Sequence, residues 1–531
     1  MRLFIPTISL ISGIRLYESP IKLMLCSILF LTFSSFLCTI KKFSPSFAEN
    51  LRTYIKRALT CSLFFIIGII LFHIRCKPKL SQSAYCVFKN VTMTVQATSI
   101  IPKSSSPHSF SGYGIITDAP TNLKQSIGNR AFFSVKTSAC ESIPLIGQKF
   151  TIKCNCSATK PDSKSWFFKY LHSSRISWSL SKCHLIELHD DFSKMPKIYD
   201  YLRNKFIKTL AIGSDNYTDE AGILKGMLTG FKDSIPNKNS SILHDLGLGH
   251  LFAVSGIHIG IIAVTLNFVL SMVLIPKKFR GIIVIITIFF YVHAIGAPPS
   301  AKRAMTMFAF YLFCSSVGRS PNVLSALTNS ALLYVLIDPF VVFNISFLLS
   351  YSVVCGIILI GTPLENFLKR KILNTYGLKI SAFEKKDIIL FHVKKHAISA
   401  FAIASSAYLS GMLFSIETFN TLTLLTIPVG ILAIPIASCA IILGTISLIF
   451  GLVNIDFMCL ILNKIAFNII KFMNIILQLA HSDWCCIKDV HLPFFSGATL
   501  TSVLLVTSYT LLSYLHSNRH KKQVPDKLLA I

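Results

Sequence analysis

Two histidines and a serine–glycine pair interrupt an otherwise apolar stretch near the middle of the chain. The stretch reads His250-Leu-Phe-Ala-Val-Ser255-Gly256-Ile-His258. Polar groups at membrane depth are costly, and they normally face a water-filled cavity or another helix. A serine–glycine pair also permits local unwinding, which is tolerated only where the backbone lines water or protein. These residues therefore predict a broken helix that lines a conduit or forms a polar reactive centre.

The histidines of the chain are poor candidates for a metal site. Eight residues along a straight helix correspond to a rise of ~12 Å, so one ion could join His250 and His258 only if the helix is broken. His392 and His396 have the i, i+4 spacing of a helical metal pair, but the glutamate of a zinc protease is missing between them. We interpret this second pair as membrane-surface residues, and we expect no metal and no other cofactor.

An apolar helical bundle is needed to position these residues. The chain has 531 residues, of which 52% are hydrophobic and 14% charged, and its mean hydropathy is +0.61. Soluble globular proteins are about one quarter charged, and disordered chains have low hydrophobicity, so both classes are excluded. A span needs ~20 apolar residues, and about eleven apolar runs come near that length, including residues 247–275, 302–318, 422–450 and 457–477. The predicted fold class is a polytopic α-helical membrane protein.

The basic loops predict how this bundle is oriented. The 52 Lys and Arg residues exceed the 23 Asp and Glu residues by 29 charges, and four basic clusters lie between or after apolar runs. Cytoplasmic loops of membrane proteins carry such an excess. We therefore predict two N-terminal transmembrane helices in residues 1–76, an external domain in residues 77–205, a membrane domain in residues 206–515 and a basic cytoplasmic tail in residues 516–531.

The external segment has the pattern of a β domain. Apolar and polar residues alternate around Val91–Val95, Tyr113–Thr117, Ala131–Val135, Phe150–Cys156 and Ile176–Leu188. A period of two is typical of half-buried strands. Five short strands in about a hundred residues suit a small antiparallel barrel, and the five-stranded oligonucleotide-binding (OB) barrel is one candidate.

Six cysteines lie in or beside this segment. In an oxidising exterior a small domain can form disulfides, so we expect at least one among Cys76, Cys86, Cys140, Cys154, Cys156 and Cys183. Cys154 and Cys156 are poor partners for each other because they share one face of a strand.

The charge of the external segment indicates an anionic ligand. Between residues 77 and 190 there are 14 Lys and Arg against 5 Asp and Glu, a net charge of +9, which a cytoplasmic bias cannot explain outside the cell. Positive charge beside aromatic rings can bind single-stranded nucleic acid. The candidates are Arg130, Lys136, Lys149, Lys153, Trp166, Phe168 and Tyr170. Alternatively, the aromatic side chains are core residues or an interfacial anchor.

The central stretch resembles a family signature. His250–His258 is similar to the H-L-x-A-x-S-G-x-H motif of the ComEC-type competence proteins, the DNA-uptake channels of the inner membrane. Other segments are similar to further motifs of that family, with Ser346 in place of a glycine. They are Glu220–Gly230, Ser300–Met307, Asp338–Pro339 with Ser346–Tyr351, and Phe168–Ile176.

The resemblance implies that the chain passes single-stranded DNA across the cytoplasmic membrane of a bacterium, with residues 77–205 outside. The implied path contains His250, Ser255, Gly256, His258, Lys302, Arg303 and Ser350. Lys302 and Arg303 suit a pore mouth, although pairing with a carboxylate such as Asp338 or snorkelling to the interface are alternatives. The implied partners, besides membrane lipids, are a periplasmic DNA receptor and a cytoplasmic DNA translocase.

Hydrolysis of DNA by this chain is not expected. Many family members end in a metallo-β-lactamase-like domain that needs an H-x-H-x-D-H motif, and this sequence contains no H-x-H. We therefore expect no enzyme activity and a nuclease on a separate polypeptide. Two rival functions remain: a membrane-embedded enzyme for lipid-linked substrates centred on His250, Ser255 and His258, and a transporter of a small polar solute with a midplane site.

Overall fold

The structure is a computed structural model. It describes residues 87–102, 109–136, 147–158, 176–189, 194–230, 237–252, 254–373, 385–482 and 485–490, with a few single positions elsewhere. The chain divides into two compact units: Met1–Asp200 with Leu274–Phe347, and Tyr201–Val273 with Leu348–Ile531.

A closed five-stranded barrel occupies the first unit. Its strands are β1 (Phe88–Pro102), β2 (Ser109–Asp118), β3 (Arg130–Lys136), β4 (Lys149–Ala158) and β5 (Ile176–Leu188). They close in the order β1-β2-β3-β5-β4. The β3–β5 pair is parallel and the other four pairs are antiparallel. The five strands predicted from the alternating pattern are thus confirmed.

Aromatic side chains fill the barrel because alternate residues of each strand point inward. Phe110, Phe133 and Phe150 are fully buried, and their rings meet edge to face with centroids 5.2 to 6.1 Å apart. Edge-to-face contact suits the charge distribution of aromatic rings. Gly112 and Gly114 leave room for the Phe133 ring, since an added Cβ at either position would overlap backbone or side-chain atoms.

Three of the cysteines predicted to form disulfides also point into this core. Cys154, Cys156 and Cys183 are buried free thiols, and the side chains of Cys154 and Cys183 form a hydrogen bond. The expected disulfide is therefore not found among these three residues. Cys76, Cys86 and Cys140 lie outside the described residues.

Helices account for most of the other residues that the structure describes. After the barrel come α1 (Lys194–Ala211), α2 (Thr218–Thr229), α3 (Asn237–Asp245), a short 3₁₀ helix (Gly249–Phe252) and α4 (Gly256–Met272). The chain continues through α5 (Lys277–Ala294), α6 (Pro299–Ser316), α7 (Val323–Ile337), α8 (Ile345–Gly356), a π-helical turn (Ile357–Gly361) and α9 (Thr362–Leu373). The last described elements are α10 (Lys385–Phe419), β6 (Thr421–Thr423), α11 (Thr426–Leu452), α12 (Asp456–Ala480) and β7 (Cys486–Lys488).

Within the described residues, four helical segments are long and apolar enough to cross a membrane: Ile345–Leu373, Ile389–Thr418, Thr426–Leu452 and Asp456–Ala480. Gly256–Met272 and Val323–Ile337 are apolar but shorter. The architecture is that of a membrane protein with a small barrel, and the predicted count of eleven spans is not confirmed.

Candidate functional site: a broken helix and a basic barrel face

The apolar stretch at 247–275 is broken at the serine–glycine pair. The 3₁₀ helix ends at Phe252 and α4 begins at Gly256, with Ser255 as its N-cap in an extended conformation. The Ser255 Oγ accepts a hydrogen bond from the His258 backbone N–H at 3.5 Å, and the Ser255 N–H donates to His258 Nδ1 at 3.3 Å. This reciprocal pair is a capping box, with histidine at the position usually held by Glu or Gln.

His258 is buried and part of the cap of α4. Its side chain is 1% exposed, and because Nδ1 accepts from Ser255, the proton of a neutral ring lies on Nε2. The ring also hydrogen-bonds to the backbone of Met227 in α2, whose carbonyl can accept that proton. His258 therefore ties the start of α4 to α2.

His250 presents its side chain differently. It is exposed, hydrogen-bonds to the backbone of Gly247, and lies within electrostatic range of His258. The break thus brings together the two histidines that a straight helix would separate. The exposed His250 and the half-buried Ser255 supply the polar side chains of the broken segment, and Gly256 beside them is also half-buried.

The chain before the break is fixed against the start of α11. Gly247 adopts a left-handed conformation with φ +71°, and an added Cβ there would meet Thr423 and Thr426. The Thr426 hydroxyl donates to the Leu246 carbonyl at 3.0 Å. These contacts hold the broken segment in one place within the second unit.

Arg303, one turn into α6, is buried rather than open. It is 4% exposed, and its Nη2 donates to the carbonyl and hydroxyl oxygens of Ser346 at 2.7 and 2.8 Å. Ser346, which replaces a glycine of the family motif, thereby joins α8 to α6. Lys302 is exposed and Ser350 is half-buried. That Arg303 shares a cavity with the broken segment stays a prediction.

The outer face of the barrel gathers two of the predicted basic residues. Lys136 of β3 is paired with His184 of β5, and His184 is paired with Lys153 of β4. All three side chains are exposed. We call Lys136, His184 and Lys153 the basic row. Arg130 lies at the opposite end of β3, where Lys302 is within its electrostatic range, and Lys149 is half-buried at the start of β4.

An aromatic pair that was not among the predicted site residues lies on the same outer face. Tyr113 of β2 and Phe132 of β3 are cross-strand neighbours with ring centroids 5.6 Å apart. Both are only half-buried. Phe132 lies between the outward-facing Arg130 and Lys136 along β3. The period of two places all these residues outward, so the alternation could have identified them. The aromatic candidates Trp166, Phe168 and Tyr170 lie outside the described residues.

No group of three or more metal-ligating side chains occurs in the part of the chain that the structure describes. The arrangement offers instead a polar break inside an apolar bundle and a cationic, aromatic barrel face.

Comparison with known proteins yields one family. A model of the family described as "Competence protein" matches residues 227–516, which is more than half of the chain. No curated protein and no solved structure matches the sequence.

Proposed function

The chain belongs to the competence protein family, and from this premise we propose that it is the channel that passes single-stranded DNA across the bacterial cytoplasmic membrane during natural transformation. The family match covers the broken helix and all four long apolar helical segments. In this proposal the barrel lies on the external side and receives the strand.

The barrel face is the observation that carries the proposal. Five strands closing as β1-β2-β3-β5-β4 support assignment to the OB class, whose strands 2 and 3 bind oligonucleotides. The Tyr113–Phe132 pair lies on those two strands. Base stacking on such rings is worth about 1–3 kcal/mol per base and does not depend on sequence.

Neutralisation of phosphates by basic side chains is the second contribution to binding. The basic row and Arg130 flank the aromatic pair, so phosphates can be neutralised while bases stack. Each neutralised phosphate releases counterions, and binding to single strands weakens with a slope of about −0.7 per contact in log[salt]. Binding by this face should therefore be strong at low salt and tolerant of sequence.

The broken segment is the proposed passage. His250, Ser255, Gly256 and His258 belong to the family signature, and glycine adds no side chain where α4 begins. A reaction centre at this position has less support, because His258 is buried and its Nδ1 accepts a hydrogen bond from the Ser255 N–H. A separate nuclease, a DNA receptor and a cytoplasmic translocase complete the proposed pathway.

The test is DNA binding by the full chain in lipid nanodiscs, with a labelled oligonucleotide titrated at several salt concentrations. Replacing both row lysines (Lys136→Gln with Lys153→Gln) should weaken binding and reduce the salt slope by about 1.4, or two phosphate contacts. Lys124→Gln, an exposed lysine outside the row, is the matched control and should leave the slope unchanged. Failure of the parent chain to bind at low salt, or binding indifferent to salt, would contradict the proposal.

A further inference from the structure

A polar stripe runs along α12, although this helix is apolar enough to span a membrane. Lys464, Asn468, Lys471 and Gln478 are all exposed. Their spacings of four, three and seven residues place them on one side of a helix with 3.6 residues per turn, a side that also carries the exposed Ile475. The opposite side, including Cys459, Ala466 and Met473, is buried against the bundle. We call these four exposed residues the α12 stripe.

The two lysines of the stripe lie deep in the span. Lys464 is eight residues after the first residue of α12 and Lys471 is nine residues before its last, which correspond to ~12 and ~14 Å along the axis. A lysine at such depth is disfavoured against lipid and normally faces the bundle interior or a water-filled cavity. Neither lysine forms an ion pair with any residue that the structure describes.

Irregular backbone lies beside the stripe. The connection between α1 and α2 is not helical and contains Ser214, Asp215 and Asn216. At its end the Tyr217 hydroxyl donates to Asn468 Oδ1 at 3.3 Å. An added Cβ at Gly213, near its start, would touch the Lys464 side chain at 3.7 Å. Non-helical backbone at membrane depth is tolerated only where it is buried in protein or lines water.

This connection is fixed from the buried side of the same helix. Asn463 donates from Nδ2 to the carbonyls of Thr209 and Ile212 at 2.8 and 3.1 Å. Both carbonyls lie at the end of α1, where a helix leaves acceptors unsatisfied. The polar connection is therefore held against α12 by a specific contact and not by chance proximity.

Helix α2 joins the stripe to the broken segment. It begins at the Tyr217–Asn468 contact, and its Leu228 lies against the position of Gly444 in α11. It ends where Met227 bonds His258 and Gly230 faces Val254. Two interrupted, polar segments thus lie at opposite ends of one buried helix.

From this arrangement we infer that the α12 stripe is the wall of a water-filled recess continuous with the passage, and that Lys464 and Lys471 hold backbone phosphates of the passing strand. The phosphate role rests on the proposed function, whereas the hydration of the stripe does not. The acidic residues Asp219 and Glu220 lie in the first turn of α2. Their negative charge there is stabilised by the positive end of the helix dipole.

Hydration is tested by cysteine accessibility in the full chain within native membranes. Lys464→Cys and Lys471→Cys are compared with Ile465→Cys and Phe472→Cys, the adjacent exposed apolar positions of the same helix, and labelling of the parent chain is subtracted. A charged, membrane-impermeant methanethiosulfonate should modify 464 and 471 but not 465 and 472. Lack of modification at both stripe positions, as expected if lipid or another part of the chain covers them, would overturn the inference.

The phosphate role is tested by DNA uptake with Lys464→Gln and Lys471→Gln combined, in protein present at normal levels. We expect about tenfold slower uptake, and recovery with Lys464→Arg and Lys471→Arg, since phosphate neutralisation requires the charge. Normal uptake by the glutamine variant would overturn the phosphate role while the proposed function stood. If the parent chain itself takes up no DNA, the proposed function fails, and the accessibility result still decides whether the stripe is hydrated.

Discussion

Ser255 and His258 fix the residue at which the broken segment becomes a helix, and Gly256 is the first residue after that point. Glycine has no side chain, so it adds no bulk at this position. Replacing Gly256 with Leu should block DNA passage while membrane insertion stays normal, because insertion tolerates an added apolar group. Uptake and protein level are measured together. Ile257→Leu, which adds no volume at the next position, is the control.

Close helix packing at Gly256 would give a different result. In that case the leucine variant would be lost from the membrane as unfolded protein. Normal uptake by Gly256→Leu at normal protein levels would show that this position does not line the passage.

The burial of the barrel cysteines also predicts how their thiols react. Burial raises the pKa of Cys156 to about 12, and the hydrogen bond with Cys183, together with burial, raises that of Cys154. At pH 8 both thiols stay protonated, and thiolate is the reactive form. Iodoacetamide should therefore label Cys154 and Cys156 only after denaturation, as read by mass spectrometry. The same hydrogen bond lowers the pKa of Cys183, so that thiol is protected by its burial alone.

The protons on the Cys154 and Cys156 thiols also link the stability of the barrel to pH. In the unfolded chain the thiols ionise near pH 8.5, so the unfolded state binds fewer protons than the folded state between about pH 8.5 and 12. Stability contributed by the thiols should fall as the pH rises through that range. Rapid labelling of the folded chain, or a disulfide among the three, would contradict the packing of the core.

At the scale of elements, α8 and the following π turn pack closely on α10 through small residues. An added Cβ at Gly356 would overlap the Ser410 side chain, and one at Gly361 would lie 2.6 Å from Ser406 Oγ. Overpacking typically costs 1–3 kcal/mol, so Gly356→Ala should lower the thermal stability of the purified protein. At Gly411 an added Cβ would make an ordinary contact of 3.4 Å with Val353. Gly411→Ala, as the matched control, should melt close to the parent, and equal melting of the two variants would argue against this helix pair.

Strands and helix breaks were predictable from the sequence only where the pattern of buried and exposed residues repeats within a single element. Alternation gave all five strands, and polar residues in an apolar run marked the break at Ser255 and Gly256. The basic row was not predictable, because Lys136, His184 and Lys153 come from three strands whose pairing depends on barrel closure. The α12 stripe was missed for another reason: averaged hydropathy over residues 457–477 hides lysines that share one helix side.

At the scale of the whole molecule, positive charge and apolar surface are combined in one chain. The net charge is +29, and the described part contains both a closed barrel and four long apolar helical segments. A polyanion can be concentrated by such a charge, while an apolar bundle alone would exclude it. Passage therefore requires polar surface on helices of the bundle, which the broken segment and the α12 stripe supply.

Uptake of labelled DNA by cells with and without this chain tests whether the chain is a DNA channel. We expect label to reach a nuclease-protected, cytoplasmic pool as single strands only when the chain is present, and cells with Gly256→Leu at normal protein levels to bind DNA without internalising it. Equal internalisation by cells that lack the chain would contradict a channel role.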